Sequence, residues 1–104
     1  MNLRFIQNFN ELEVHLQGEI DHHCAKDLTK TIDFKIRRHR PILLIMDFGG
    51  VSFMDSSGLA IVMGRRKLME SMEGTVEIRN LCDPAKKIFE MAHLDRYVKI
   101  RKEV

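Results

Sequence analysis

The hydrophobic positions at the start of the chain repeat every second residue. Leu12, Val14 and Leu16 alternate with polar residues, which is typical of a strand with one buried face and one face in water. The turn-like residues 8–10 precede this segment and predict a hairpin that joins it to a short first strand. We therefore expect two paired strands at the beginning of the chain.

The hydrophobic spacing then changes to three and four residues, which predicts a helix after Asp21. The apolar positions of its buried face are Ala25, Leu28, Ile32 and Ile36. Asp21 is a suitable N-cap, because its carboxylate can accept hydrogen bonds from the free amides of the first turn. The helix is expected to run to about His39, since Pro41 breaks it.

The remaining chain alternates strands with helices. Residues 42–46 are an unbroken apolar run, which predicts a central and parallel strand covered on both faces. A second helix is predicted from about Ser57 to Ser71, with Gly74 placed to close it, and residues 75–79 follow as another strand. The apolar run at the start of this helix surrounds it on all sides, so it is either sandwiched or offers a surface to a partner.

A third helix is predicted after Cys82, with Asp83 as its N-cap and Pro84 at its first position. Its predicted buried residues are Ala85, Ile88, Phe89 and Ala92. Residues 97–100 form a last short strand. The predicted order is β-β-α-β-α-β-α-β, an α/β fold with a mixed β-sheet and packed helices in a single domain over residues 1–104.

Composition and charge narrow the classes of function. The chain has 17 Lys and Arg against 15 Asp and Glu, a net charge of +2. This charge is small for a protein that binds the phosphate backbone of a nucleic acid. The basic run at residues 37–40 is expected to be a solvated helix end. No apolar stretch of ~18 residues and no signal peptide is present, so we expect a cytoplasmic protein without a membrane or nucleic-acid partner.

The cysteines and histidines give no metal site. Cys24 and Cys82 lie far apart and form no C-x-x-C pair. Asp21, His22 and His23 lie beside Cys24, but adjacent residues at a helix start point in different directions and no second ligand cluster is evident. We expect no metal, with Asp21 acting as a cap.

The unusual chemistry lies in the segment Asp55-Ser56-Ser57-Gly58, between a central strand and a helix. The free amides and dipole of the helix start would favour a phosphoryl group on Ser56 or Ser57. The structural alternative is that serine serves as an N-cap, worth about 1 kcal/mol over alanine. A serine nucleophile is a further alternative, although no G-x-S-x-G motif is present.

Three stretches of the sequence resemble the STAS domain family. They are Gly18-Glu19-Ile20-Asp21-His22-His23, the run from Val51 to Leu59 that contains Asp55-Ser56-Ser57-Gly58, and the stretch from Pro84 to Leu94. Within this family the chain is most similar to the bacterial anti-sigma factor antagonists, in particular those directed at the anti-sigma-F factor of endospore-forming bacteria. The resemblance covers nearly the whole chain.

The resemblance implies a phosphorylation switch at Ser56. The partners it implies are an anti-sigma factor with serine kinase activity, which would bind the ATP itself, and a serine phosphatase. It implies a regulatory protein rather than an enzyme, with no catalytic residue and no cofactor. The residues expected to contact the partner are Asp21, His22, Asp55, Ser57, Gly58 and Leu59. A nucleotide-sensing or small-molecule-sensing STAS module, in which the loop cradles a phosphate, remains the alternative.

Two features depart from that branch of the family. Its members usually continue into a final helix, so a chain that ends at Val104 is expected to expose the surface that such a helix covers. Gly49-Gly50 stands where relatives carry bulkier or acidic residues, which is expected to loosen the segment before Asp55.

Overall fold

The computed structural model describes residues 2–101 of the chain. Its strands are β1 (Asn2–Gln7), β2 (Glu11–Ile20), β3 (Leu43–Met54), β4 (Thr75–Arg79) and β5 (Lys99–Arg101), and its helices are α1 (His22–His39), α2 (Ser57–Ser71) and α3 (Asp83–Met91). A short 3-10 turn, Leu94–Arg96, precedes β5. The element order is the one that the sequence predicts.

The strands form one mixed sheet in the order β1-β2-β3-β4-β5. β1 pairs antiparallel with β2, as the predicted hairpin requires, and the pairs β2–β3, β3–β4 and β4–β5 are parallel. Parallel neighbours place their carboxyl ends at one edge of the sheet. This edge carries the segments that precede α1 and α2.

The hydrophobic core lies on one face of the sheet. Its strand side chains alternate along β2 and β3, and all three helices contribute to the same cluster. The main contributors are Leu12, Val14, Leu16, Leu44, Met46 and Phe48 from the strands and Ile32, Val62, Met69 and Phe89 from the helices. The opposite face carries Glu13, His15, Glu77 and other polar side chains, which explains the alternating pattern of β2.

The apolar run 42–46 is central and parallel from Leu43 onward, and residues 44–46 are buried on both faces as predicted, whereas Ile42 lies before β3 and is 56% exposed. Helices cover only one of the two faces. Ile45 is buried on the other face between its cross-strand neighbours Glu13 and Glu77, so the side chains of adjacent strands cover it. β3 also continues through Gly49 and Gly50 to Met54, so these glycines belong to a strand.

The helix ends differ by single residues from the prediction. α1 begins after the N-cap Asp21 and ends at His39, as expected. α2 ends in a Schellman motif in which Glu73, not Gly74, has the left-handed conformation (φ 62°), while the Gly74 amide donates to the Met69 carbonyl oxygen at 2.7 Å. The N-cap of α3 is Cys82, so Asp83 lies inside the helix.

Ile61, in the apolar run at the start of α2, is fully buried, because α2 lies against α1 as well as the sheet. The buried face predicted for α3 changes at one position. Ala92 lies beyond the end of α3 and is exposed. Across residues 2–101, no helix combines the length and the apolar character that a membrane span requires.

Candidate functional site

The register of β2 and β3 brings the two sequence motifs together. Ile20 pairs with Met54 as the last residue pair of these parallel strands, and the Asp55 amide donates to the Ile20 carbonyl oxygen at 3.2 Å. Asp21 and Asp55 therefore follow paired residues at the same edge of the sheet. The starts of α1 and α2 meet there.

Asp21 caps α1 through its carboxylate. Its Oδ1 accepts from the amides of His23 at 3.0 Å and Cys24 at 3.2 Å. The Asp21 amide in turn donates to the Sγ of Cys24 at 3.4 Å, so that a cysteine completes a capping box usually completed by Glu or Gln. The side chain of Asp21 is 38% exposed, which leaves the other carboxylate oxygen accessible to a partner.

Asp55 supplies the cap hydrogen bond of α2. Its Oδ1 accepts from the Ser57 amide at 2.8 Å and from the Ser57 hydroxyl at 2.5 Å. Ser56 occupies the N-cap position, yet its hydroxyl makes no cap hydrogen bond. Capping therefore does not account for Ser56, which is exposed with its hydroxyl free.

The same contacts set the protonation of the two carboxylates. The hydrogen bond from the Ser57 hydroxyl, followed by that from the Ser57 amide, lowers the pKa of Asp55, and the nearby His22 contributes in the same direction. The hydrogen bond from the Cys24 amide lowers the pKa of Asp21. Both groups are anionic at neutral pH, so the edge around Ser56 carries two fixed negative charges.

Gly58 and Leu59 lie deeper than the serines. Gly58 is buried, and a Cβ at this position would lie 2.2 Å from the Sδ of Met54, so glycine permits the close approach of α2 to β3. Leu59 is half-buried against the core. Their contact with a partner stays a prediction, and of the two only Leu59 has an exposed part that a partner could reach.

Phe53 is an exposed residue near the site that is not among the predicted partner-binding residues. Its side chain is 53% exposed beside the Asp55 segment, while the flanking Val51 and Met54 are buried. An aromatic side chain next to the Asp-Ser-Ser-Gly motif, at the end of a strand whose other apolar residues fill the core, is the sequence signal that could have indicated it. Phe53 lies two residues before Asp55, at the end of β3 that carries the site.

The arrangement does not resemble a hydrolase or a metal centre. In the part of the chain that the structure describes, no histidine nitrogen forms a hydrogen bond with either serine hydroxyl. Among the same residues, no three or more His, Cys, Asp or Glu side chains are grouped to hold a metal ion. His22 and His23 instead stack on each other, with ring centroids 4.0 Å apart, at the exposed start of α1.

Comparisons with known proteins agree with the fold. The STAS domain family model matches residues 1–104. An anti-sigma F factor antagonist of Paenibacillus polymyxa is 30% identical over 89 residues, which cover 86% of this chain and 76% of the relative.

Two solved structures show the same architecture. The anti-sigma factor antagonist SpoIIAA in its unphosphorylated form matches with a TM-score of 0.85 and 25% identity, over 99% of this chain and 89% of that chain. The Bacillus cell fate determinant SpoIIAA in the phosphorylated form matches with a TM-score of 0.78 and 25% identity, over 99% and 92% of the two chains.

The mixed sheet, the paired motifs at its carboxyl edge and the serine at the start of α2 define a small regulatory α/β module. The chain belongs to the STAS domain family.

Proposed function

We propose that this chain, acting as one STAS domain over residues 1–104, is an anti-sigma factor antagonist switched by phosphorylation of Ser56. The unphosphorylated form binds an anti-sigma factor that is also a serine kinase and thereby releases a sigma factor. The observation that carries the proposal is the exposed Ser56 hydroxyl, which Asp55 leaves free by capping α2 itself. The names of the relatives, one of them solved with and without phosphate, support the same role.

The proposed binding surface surrounds Ser56. Asp21 and His22 form one side of it, the exposed part of Leu59 the other, and Phe53 provides an aromatic group of the kind that often dominates binding energy. Asp55 and Ser57 hold the loop in place through the hydrogen bonds described above.

Charge explains how phosphate would end the complex. A phosphoserine carries about −1.5 to −2 charges at neutral pH, and here it would add to the fixed charges of Asp21 and Asp55. A partner surface that fits a neutral hydroxyl would have to desolvate this charge. Because each ~1.4 kcal/mol weakens binding tenfold, a penalty of a few kcal/mol is sufficient to separate the proteins.

The proposal places the chemistry on the partners. The kinase partner binds ATP, a serine phosphatase restores the free hydroxyl, and this chain acts in the cytoplasm as substrate and ligand rather than as an enzyme. The geometry favours this role over a serine nucleophile, because among the described residues the Ser56 hydroxyl contacts no general base and no histidine contacts the Ser57 hydroxyl. The geometry also favours the proposed role over a module that senses a phosphate in the loop at Ser56. A cavity of about 390 Å³, lined in part by Arg66, Glu70 and Tyr97, lies at the amino ends of β4 and β5, away from Ser56.

The modification itself can be tested with an anti-sigma factor that has serine kinase activity. Incubation with the kinase and ATP should add one phosphate, ~80 Da, and peptide mapping should place it on Ser56. A Ser57→Ala variant should still be modified, and Ser56→Ala should not. Modification only at another residue would refute the assignment.

The effect of charge on binding is tested by calorimetry. Ser56→Asp should bind the kinase at least about tenfold more weakly than Ser56→Ala. Ser71→Asp, which adds the same charge at the other end of α2, should bind like the unchanged protein. Equal affinities of the two position-56 variants would exclude the charge mechanism.

A further inference from the structure

The end of the molecule opposite Ser56 carries exposed aromatic and cationic side chains that the proposed function does not use. His39 holds this end together, because its Nε2 lies 2.7 Å from the Asn8 carbonyl oxygen and 3.1 Å from that of Glu11. The Ile42 amide donates to the Asn10 carbonyl oxygen at 2.8 Å. The hairpin turn, the last turn of α1 and the residue before β3 therefore form one continuous surface.

Three large apolar side chains project from this surface or border it. Phe9 at the tip of the hairpin is 98% exposed, Phe34 on the outer side of α1 is 59% exposed, and Ile42 is 56% exposed. Most exposed apolar residues of a soluble protein stand singly. Here the hydrogen bonds of His39 and Ile42 bring Phe9 and Ile42 to the same end of the molecule, and Phe34 lies about one helical turn away.

The cations of the same region lack acidic partners. Within residues 2–101, Arg37, Arg38 and Arg40 are exposed and form no ion pair with a carboxylate. The guanidinium of Arg38 lies over the ring of Phe34, 5.6 Å from its centroid. A shallow depression of about 410 Å³ is lined by Lys30, Asp33, Phe34, Arg37 and Arg38. We refer to Phe9, Phe34, Arg37, Arg38, Arg40 and Ile42 as the basic pole.

We propose that the basic pole is a second docking surface, for an acidic protein segment that also carries apolar side chains. Charge complementarity determines the sign of the partner, because the three arginines are unpaired and Arg38 lies over the exposed ring of Phe34. The depression beside Phe34 gives an apolar side chain of the partner a place to lie. Arginine and aromatic residues are also the types enriched where protein interfaces bind most strongly.

The observations favour a protein segment over the other anionic partners. A lipid-binding helix presents a continuous apolar face beside its cations, and here Lys30 and the three arginines are interspersed with Asp33 and separate apolar side chains. A nucleic-acid site would need a broader basic surface than this on a chain of net charge +2.

The basic pole is independent of the Ser56 switch. β3 runs for 12 residues between Leu43, beside the hairpin, and Met54, beside Asp55, so at ~3.3 Å per residue the two surfaces lie at opposite ends of the sheet. A partner at the basic pole would bind the phosphorylated and unphosphorylated forms equally. This inference does not rest on the proposed function.

The test is a titration of the isotope-labelled full chain with a glutamate-rich amphipathic peptide, followed by amide chemical shifts. The shifts should concentrate on residues 8–10 and 34–42, and affinity should fall as salt rises. The paired change Arg37→Gln with Arg38→Gln should weaken binding about tenfold. Phe9→Ser, which changes no charge, should weaken it severalfold, and Ser56→Asp should leave it unchanged.

Lys86→Gln with Lys87→Gln is the matched control, because these two adjacent, exposed cations lie on α3, away from the basic pole. An equal loss in this control would overturn the proposal, as would a loss in Ser56→Asp or no binding at all. Vesicles containing phosphatidylglycerol and a short DNA duplex are titrated in parallel. Binding to either one in preference to the peptide would also overturn it, and thermal melts of each variant confirm that the fold is intact.

Discussion

At position 55 a single carboxylate takes over the capping that two following serines could have provided. Asp55 binds both the amide and the hydroxyl of Ser57, so the Ser57 proton is committed and the Ser56 hydroxyl is not. The sequence shows two adjacent hydroxyls in equivalent settings. The local pattern therefore does not distinguish the two serines, and it is the resemblance to the family that indicates Ser56. In the structure the two hydroxyls differ, because only that of Ser57 is bound to Asp55.

The first prediction concerns the titration of Asp55. Ser57→Ala removes the hydrogen bond that contributes most to its low pKa, so the Asp55 pKa should rise toward the ordinary value of 3.8. Carboxyl-detected NMR titration measures this directly. The Asp21 pKa should stay low in the variant, because its hydrogen bonds come from His23 and Cys24.

The same change affects stability at acid pH, with a definite sign. A carboxyl whose pKa is lower in the folded state stabilises the fold above its unfolded pKa, and this contribution is lost as the pH falls through the folded pKa. Urea unfolding of the unchanged protein should therefore show declining stability below pH 3.8, with a weaker decline in Ser57→Ala. An identical pH dependence in the two proteins would mean that the Ser57 hydroxyl does not bind the carboxylate in solution.

At the scale of elements, hydrophobic periodicity predicts the type and extent of a helix or strand better than it predicts the residues at which the element ends. The period of two in β2 and the period of three to four in α1 give the type and extent of both elements, because each alternation reflects a single buried face. The apolar run at 42–46 is less informative. Such a run predicts burial, but it does not show whether a helix or the side chains of adjacent strands cover Ile45.

Helix ends depend on backbone conformation that residue types only bias. Glycine favours the left-handed conformation, which led to Gly74 as the closing residue of α2. In the structure it is Glu73 that has the left-handed conformation. Gly74 stands where a Cβ would lie 3.1 Å from the Ile42 carbonyl oxygen and 2.6 Å from the Met69 side chain. Tight packing against the start of β3 thus determines where the glycine stands.

The second prediction follows from this helix end. Glu73→Gly should raise the free energy of unfolding by about 0.5–1 kcal/mol, because a non-glycine residue at positive φ is disfavoured by roughly 1–2 kcal/mol and the added backbone freedom of glycine offsets part of the gain. Chemical denaturation measures the change. Lys67→Gly, an exposed position inside α2, is the control and should lose about 1 kcal/mol. Destabilisation by Glu73→Gly would show that residue 73 is not left-handed in solution.

Across the whole molecule, the proposed phosphorylation would change charge at one end of the sheet, while the hydrophobic core lies on one face of it. The core residues of β2 and β3 are buried, and Met54, which ends β3 just before Asp55, is 6% exposed and lies against Gly58 of α2. SpoIIAA, a relative of matching fold, has been solved in both phosphorylation states, and both forms align with this chain along nearly its full length. Phosphate is therefore expected to alter binding without altering the fold.

The last prediction compares the same added charge at the two ends of α2. Ser56→Asp puts a negative charge at the helix start, where the dipole favours it by about 0.3–1 kcal/mol and repulsion from Asp55 opposes it, so the melting temperature should change by less than ~4 °C. Ser71→Asp puts the charge at the unfavourable end, where it also follows Glu70 directly, and should be the less stable of the two. In amide spectra, the shifts caused by Ser56→Asp should stay within residues 20–23 and 53–60. Shifts spread through the core strands, or a large loss of stability, would mean that modification of Ser56 acts by rearranging the fold rather than by charge at the binding surface.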